Sequence, residues 1–163
     1  MGLVVVSIEG VLTAGGSDNN SLTYEAAVPG RAFYDVIHEG SRLMFLSSDP
    51  YRDRVAAWLV RERFGKYADL HCIPVDELRP YSDWKAQHVL DLIGIGHHIS
   101  FYVDSDVHAL SAVLSGGVAV MRVAYPTSLP GRSSGGQSYS PWYDLVDSIE
   151  QASLAKSVKA VEG

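Results

Sequence analysis

Apolar residues concentrate in six short segments of the chain, and between these segments they recur with helical spacing. The six segments with strand character are Leu3–Ser7, Leu22–Val28, Arg42–Leu46, Ala68–Ile73, His98–Val103 and Val118–Val123. Several of them are dominated by Val, Ile, Leu and Phe, which is typical of strands buried on both faces of a parallel sheet. Leu22–Val28 has the weakest strand pattern of the six.

Five helices are predicted between and after these strands. They cover Arg31–His38, a stretch opening at Asp49 and Pro50, a stretch capped by Ser82 or Asp83, Asp106–Leu114, and Pro141 to about Lys156. In the third helix Trp84, His88, Val89 and Leu92 are expected to face inward. Strands that alternate with helices of this length indicate βαβ units. The sequence therefore predicts an α/β fold with a three-layer, doubly wound, Rossmann-like and mostly parallel sheet.

The chain length fits one domain with a substantial core, because 163 residues with 47% apolar content are ordinary for a globular protein. We expect a single domain over residues 1–156. Within it, residues 13–28 are predicted to form a flap-like loop and residues 125–141 a long loop. Residues 157–163 are predicted to form a frayed tail.

Charge and cysteine content restrict the classes of partner and compartment. A formal net charge of -6 argues against a broad basic surface for nucleic acid, but leaves room for a small phosphorylated ligand. Cys72 is the only cysteine and cannot form an internal disulfide, which fits a reducing compartment. Leu3–Val6 is too short to span a membrane, and no basic segment precedes it. We therefore expect a cytoplasmic protein without a membrane partner, and the oligomeric state stays open.

Polar residues follow three of the predicted core strands, at the edge where open α/β sheets bind ligands. They are Ser7 and Glu9 after the first strand, Ser47, Ser48 and Asp49 after the next core strand, and Asp104 and Asp106 after a later one. Lys85 lies in the first turn of the third helix, near the same edge. Serine hydroxyls and helix N-terminal amides bind phosphate, lysine adds positive charge, and aspartates offer oxygen ligands to Mg²⁺. The sequence predicts a site for a phosphate and a metal here.

Each of these residues also has a purely structural interpretation. Ser47, Ser48 and Asp49 form a good helix cap ahead of Pro50, and Lys85 has the pattern of an exposed helix lysine. Asp104 and Asp106 fit loop and cap positions, and Ser7 fits a strand end. The histidines, including His71 and His88, show no HExxH or CxxC spacing, so a zinc site is not predicted.

Four motifs, in this order, resemble those of the haloacid dehalogenase-like (HAD) phosphohydrolases. They are Ser7-Ile8-Glu9-Gly10-Val11 in place of the DxDGT motif, Ser47 in "FLSS", Lys85 in "SDWKAQHVLDLIG", and Asp104 and Asp106 in "YVDSD". The resemblance covers Gly2 to Tyr125. The span between the first two motifs has no room for a large inserted cap, so the chain resembles a minimal, uncapped member.

This resemblance implies a role for each site residue. Ser7 and Glu9 stand where the family has its nucleophilic aspartate and its general acid and base. The implied catalytic residues are Ser7, Glu9 and Lys85, the implied phosphate ligands are Ser47, Ser48 and Lys85, and the implied metal ligands are Glu9, Asp104 and Asp106, with Asp104 preferred over Asp106. A serine hydroxyl is a poor Mg²⁺ ligand, and a poor nucleophile without a neighbouring base. Binding of Mg²⁺ is therefore expected to be weakened and the family's chemistry lost or severely reduced.

Three functions follow as hypotheses. The first is a catalytically degraded, HAD-like pseudophosphatase that binds a phosphorylated ligand or a protein partner. The second is an active Mg²⁺-dependent phosphatase or nucleotidase with rerouted chemistry, in which Glu9 or Asp104 activates water or Ser7. The third is a structural or assembly component in which the polar edge has no ligand.

Overall fold

The protein is represented by a computed structural model, which describes residues 2–13 and 26–124. Its five strands are β1 (Leu3–Ser7), β2 (Arg42–Ser47), β3 (Asp69–Cys72), β4 (Ile99–Asp104) and β5 (Val120–Arg122). Its four described helices are α1 (Val28–Ile37), α2 (Arg52–Arg61), α3 (Tyr81–Gly94) and α4 (Val107–Ser115). The strands form one sheet in the order β3-β2-β1-β4-β5, and every pair is parallel. The predicted α/β, Rossmann-like fold is confirmed at this level.

Both faces of the central strand β1 are buried, which explains its continuous apolar sequence. Val4 and Val6 pack in one apolar cluster with side chains of α1 and α2, whereas Leu3 and Val5 pack in a second cluster with side chains of α3 and α4. Alternate residues of a strand point to opposite faces, so helices cover the sheet on both sides. The result is three layers.

The start of α1 corrects the predicted strand at Leu22–Val28. The described part of that segment holds no strand, and Val28 instead begins α1, with a proline in the first turn. Proline favours the first helical turn because its fixed φ suits a helix and its missing N–H would have no partner there. Gly30 then allows a close approach, since a Cβ at this position would lie 2.5 Å from the carbonyl oxygen of Val11.

The ends of the other helices differ from the predictions by a few residues. Asp49 is not the N-cap of α2, because Tyr51 holds that position and makes no side-chain cap. Asp49 instead accepts a hydrogen bond of 2.9 Å from the backbone N–H of Tyr51 and pairs with Arg54. Asp106 does cap α4, where its side chain accepts from the backbone N–H groups of His108 and Ala109. The cap prediction is therefore wrong at α2 and confirmed at α4. It is also wrong at α3, whose N-cap is Pro80, so that Ser82 and Asp83 lie inside the helix.

Several predictions fall wholly or partly outside the described residues. They concern most of the flap-like loop at 13–28, the loop at 125–141, the helix from Pro141, and the tail at 157–163. Across residues 2–13 and 26–124, no helix is long and apolar enough to cross a membrane.

Candidate functional site

The residues predicted from the strand ends do come together at the carboxyl edge of the sheet. We call this group the polar rim, and it comprises Ser7, Glu9, Ser47, Ser48, Asp49, Tyr81, Lys85, Asp104 and Asp106. Ser7, Glu9, Ser47, Lys85 and Asp104 are at most 3% exposed. Since β1 lies between β2 and β4, the ends of these three parallel strands meet at one place. Burial of so many polar groups requires that they pair with one another.

Glu9 turns inward from the loop after β1 and accepts hydrogen bonds from three groups. Its Oε1 accepts from the Ser47 hydroxyl at 2.7 Å and from the Ser48 backbone N–H at 3.1 Å. Its Oε2 accepts from the Tyr81 hydroxyl at 3.2 Å. We call these three donors the anion cradle. Two of the three residues that the sequence assigned to a phosphate, Ser47 and Ser48, thus hold a carboxylate of the same chain.

The cradle does not fully compensate the burial of Glu9. Burial raises the pKa of the Glu9 carboxyl above its ordinary value of 4.5, and the hydrogen bonds from Ser47 and Ser48 offset only part of that effect. A raised pKa means that the charged form is less well stabilised here than in water. Glu9 is therefore a buried carboxylate that gains hydration if it leaves the cradle.

Lys85 is buried between two aspartates instead of being an exposed helix lysine. Its Nζ lies 2.8 Å from Oδ2 of Asp104 and 3.2 Å from Oδ2 of Asp106, and its side chain is only 4% exposed. The same ammonium lies 4.8 Å from the centre of the Tyr81 ring, a distance at which a cation is attracted to an aromatic face. Such a pair is expensive to break, because either partner would be left as a lone buried charge.

The carboxylate of Asp104 has protein partners on both oxygens. Its Oδ1 accepts from the backbone N–H groups of Ser105, at 2.7 Å, and Asp106, at 3.1 Å. Its Oδ2 contacts both Lys85 and the hydroxyl of Tyr102. Burial and the charge of Asp104 raise the pKa of Tyr102 well above its ordinary value. Tyr102 is therefore a neutral hydroxyl that donates to Asp104.

Asp106 differs from Asp104 because it is partly exposed. Burial alone would raise the pKa of its carboxyl, but the Ser82 hydroxyl and the Lys85 charge outweigh that effect and lower the pKa below the ordinary 3.8. Asp106 also caps α4. Its negative charge thus stabilises both the N-terminus of α4 and the ammonium of Lys85.

Among the residues that the structure describes, Ser7 makes no contact that would activate it as a nucleophile. Its hydroxyl donates to the main-chain carbonyl of Glu9 at 3.3 Å and lies close to the Tyr81 hydroxyl. A serine becomes strongly nucleophilic when an adjacent base takes its proton, and a carbonyl oxygen is not such a base. The contacts of Ser7 fit the structural interpretation, in which it is a strand-end residue bonded to the backbone.

Tyr81 is the rim residue that the sequence analysis missed. It precedes Lys85 by four positions, so both project from the same face of α3. Burial and the nearby charge of Glu9 raise the pKa of Tyr81 well above its ordinary value, so its hydroxyl stays protonated and can donate a hydrogen bond. The sequence signal that could have indicated this role is the spacing of four residues between Tyr81 and Lys85 at the start of a helix.

Gly10 brings the loop after β1 close to the loop after β4. Its φ of +83° lies in the left-handed region, and a Cβ here would lie 1.9 Å from the hydroxyl oxygen of Ser105. Glycine meets both requirements because it has no Cβ. The loop that carries Glu9 thus passes close to the loop that carries Ser105.

The present contacts of the predicted metal ligands do not suit Mg²⁺. Within residues 2–13 and 26–124, no group of three His, Cys, Asp or Glu side chains is placed to hold a metal ion. Glu9 and Asp104 are bonded to protein donors, and the ammonium of Lys85 lies between Asp104 and Asp106. Metal binding by Glu9, Asp104 and Asp106 stays a prediction, and no step below depends on it.

The comparisons with known proteins support the fold alone. No protein-family model matches the sequence, and no curated protein matches it. A chain in a solved structure of the Pnkp1/Rnl/Hen1 RNA repair complex is similar in fold, with a TM-score of 0.64 and 17% identity over 76% of this chain and 42% of that chain. A chain in another structure of the Pnkp1/Rnl/Hen1 complex gives a TM-score of 0.60 and 17% identity, covering 77% of this chain and 46% of that chain. The present chain thus spans less than half the length of either.

These findings correct the resemblance to the HAD phosphohydrolases. The similar structures belong to an RNA repair complex, and neither a family model nor a curated protein supports HAD membership. The assignment to that family is therefore wrong. Its short, separately weak motifs consist of polar residues near the carboxyl ends of parallel strands, the edge at which open α/β sheets of many families bind ligands. Roles for rim residues must be argued from their contacts.

Proposed function

We propose that this chain acts by binding rather than by catalysis, and that the polar rim takes up the phosphate group of a small ligand in exchange for Glu9. The observation that carries the proposal is the convergence of three donors of the anion cradle on one carboxylate. A phosphate oxygen accepts the same kinds of hydrogen bond as a carboxylate oxygen. Hydroxyl and backbone N–H donors at a strand end suit such a group.

The state of Glu9 supports the exchange. Because burial raises its pKa, the carboxylate regains hydration when it moves to solvent, and this gain offsets part of the cost of its displacement. The ammonium of Lys85 also lies near the cradle, 4.8 Å from the centre of the Tyr81 ring, although it is paired with Asp104 and Asp106. Within the described part of the chain, the Ser7 hydroxyl donates to a main-chain carbonyl and not to a base, which argues for binding without turnover.

The test is calorimetric titration of inorganic phosphate and p-nitrophenyl phosphate into the protein without added metal. Glu9→Ala should bind phosphate at least about tenfold more tightly than the wild type, because the internal competitor is gone. Ser47→Ala should weaken binding by about tenfold, since one donor is lost. Ser111→Ala is the matched control, because Ser111 is exposed on α4.

Two results would contradict this proposal. One is the absence of phosphate binding in both the wild type and Glu9→Ala. The other is steady release of phosphate from esters by the wild type, with or without Mg²⁺, lost on Lys85→Ala. That second result would favour the alternative of a phosphatase with rerouted chemistry.

A protein partner is the second candidate, favoured by the origin of the similar structures. The Pnkp1/Rnl/Hen1 complex is an assembly of several proteins, so a domain of this fold is found in a multi-protein complex. Here, Val75 and Leu78 in the loop before α3 are 74% and 96% exposed, close in sequence to the rim residue Tyr81. Affinity capture should then retain a stoichiometric protein, with loss in Leu78→Asp and no loss in the control Val36→Asp, which alters a valine that is 83% exposed on α1.

A further inference from the structure

A second chain of polar contacts joins β3 to α3 and involves no predicted site residue. His71 of β3 directs Nε2 towards Oδ2 of Asp69 at 3.0 Å and Nδ1 towards Nε2 of His88 at 2.6 Å. His88 comes from α3, so the contact between the two rings crosses from the sheet to the helix. We call His71 and His88 the imidazole pair.

The number of protons on the imidazole pair decides whether this contact is attractive. A hydrogen bond between two ring nitrogens needs one N–H and one lone pair. With both rings neutral, His71 donates to Asp69 through Nε2, and His88 donates to Nδ1 of His71. With one added proton, His71 donates through both nitrogens and His88 accepts. A second added proton places N–H against N–H, so that the bond is lost and two positive charges meet.

The charged groups around the pair come from three elements. Asp69 on β3 faces His71, Arg52 of α2 pairs with Asp69 at 3.2 Å, and Asp91 of α3 acts on His88. Burial and the neighbouring His71 lower the pKa of His88, and Asp91 offsets part of this effect. Cys72, the next residue along β3, packs with the apolar cluster on the opposite face of the sheet.

An aromatic stack connects the pair to the start of α3. The Trp84 ring lies 4.9 Å from the His88 ring at an interplanar angle of 13°, and 5.8 Å from the Tyr81 ring at 19°. Tyr81, Trp84 and His88 follow at helical spacing along one face of α3. A change in the position of His88 is therefore passed through packed rings to Tyr81, whose hydroxyl bonds Glu9.

We propose that the imidazole pair is a pH-sensitive switch, which holds α3 against β3 while at most one ring is protonated and loosens the Tyr81–Trp84–His88 stack once both are. The device depends on the contacts between β3 and α3 alone, and it stands whether or not the rim binds phosphate. The switch responds to acidification in the pH range where imidazoles titrate, and the part of the structure that changes is the start of α3.

The test is an NMR titration of the histidine ring protons and the Trp84 indole N–H in the full chain, from about pH 8 to about pH 4.5. In the wild type, the last proton should bind the pair more weakly than it binds exposed His97, so its midpoint should lie at lower pH. The Trp84 signal should shift with that same midpoint. Variants His71→Gln and His88→Gln assign the signals, and His97→Gln is the control, since His97 is exposed.

In His71→Gln, the His88 midpoint should rise towards that of His97, because the competing positive charge is gone. In His88→Gln, the acid shift of Trp84 should disappear. The proposal is overturned if the pair in the wild type titrates like His97, or if the Trp84 signal does not follow it. Both of these results can be read from the wild type alone, so the proposal stays testable even if a variant does not fold.

Discussion

The carboxylate of Glu9 accepts a hydrogen bond of 2.7 Å from the hydroxyl of Ser47, which joins the loop after β1 to the end of β2. The Ser47 hydroxyl in turn accepts from the backbone N–H of Asp49 at 3.1 Å, so it is held in one orientation. A buried acid with neutral donors is stabilised by them, but not enough to cancel its loss of hydration. The charge state of Glu9 therefore governs both the stability of the rim and its ability to accept another anion.

Replacing Glu9 by Gln should remove a pH-dependent loss of stability. Because the pKa of Glu9 is raised above 4.5 in the folded protein, the folded state binds the proton more tightly than the unfolded state. The wild type therefore loses stability as pH rises from the unfolded pKa through the folded one. Gln keeps an acceptor for Ser47 and carries no charge. As pH rises from about 4 to about 8, the difference in free energy of unfolding between the two proteins should therefore change in favour of Glu9→Gln.

Urea unfolding of both proteins across this pH range measures the shift. Glu39→Gln is the control, because Glu39 is exposed after α1 and its replacement should leave the pH profile nearly unchanged. If the free energies of unfolding of Glu9→Gln and the wild type change with pH in parallel, burial does not disfavour the charged form of Glu9. The basis for its displacement by a ligand would then be removed.

Replacing Lys85 by Met should strongly destabilise the fold. The ammonium lies 2.8 Å from Asp104, whose side chain is fully buried, so its removal leaves a buried carboxylate without its cation. Breaking one partner of a buried pair costs about 3–5 kcal/mol. The pKa of Asp106 should rise as well, because the charge of Lys85 is one of the two main effects that lower it.

A double-mutant cycle measures how much of this loss belongs to the pair. Lys85→Met combined with Asp104→Asn should be less destabilised than the sum of the two single variants, by about 1–3 kcal/mol. Lys66→Met is the control, since Lys66 is exposed. Strict additivity in chemical unfolding would argue that Lys85 and Asp104 do not act together.

Much of the fold could be predicted from local pattern, and one failure shows the limit. The runs at β1 and β2 are apolar because both sheet faces are covered, and this leaves a clear signal in the sequence. The described end of the predicted strand at Leu22–Val28 is not a strand, because a valine-containing segment can also open a helix when proline occupies the first turn, as it does in α1. The helix start also brings Gly30 close to the backbone of Val11 and Leu12, a tertiary approach that no local pattern reveals.

The sequence predicted where the polar rim lies more accurately than it predicted which rim residues contact one another. The ends of parallel strands must meet at one edge, so the grouping of Ser7, Ser47 and Asp104 followed from topology. The direction of a side chain does not follow from topology. Glu9 turns inward to Ser47, from which 38 residues separate it in sequence, and Lys85 is buried between aspartates. Both arrangements depend on tertiary burial, which short motifs do not encode.

Removing only the hydroxyl of Tyr81 tests its role in the anion cradle. Tyr81→Phe keeps the ring stacked on Trp84 and beneath the Lys85 ammonium, but loses the donor at 3.2 Å from Glu9. We expect a loss of about 1–2 kcal/mol in stability at neutral pH and a further rise in the pKa of Glu9, because its charged form loses a hydrogen bond. Unfolding at several pH values measures both effects.

The control for this variant is Tyr51→Phe, in which the altered tyrosine is 59% exposed. It should change stability by less than about 0.5 kcal/mol. An equal effect of the two substitutions would place the Tyr81 hydroxyl outside the cradle.

Substituting Gly10 by Ala tests whether the close approach of the two rim loops matters. The substitution combines an unfavourable φ of +83° with a Cβ 1.9 Å from the Ser105 hydroxyl oxygen, so we expect a loss of about 2–4 kcal/mol. Adding Ser105→Gly removes the clash but not the backbone strain, and should restore about half of the loss. Gly40→Ala is the control, since a Cβ there meets nothing within 4 Å. Thermal unfolding compares the variants. If adding Ser105→Gly restores none of the lost stability, the cost of Gly10→Ala comes from backbone strain alone, and the close approach of the two loops does not contribute to it.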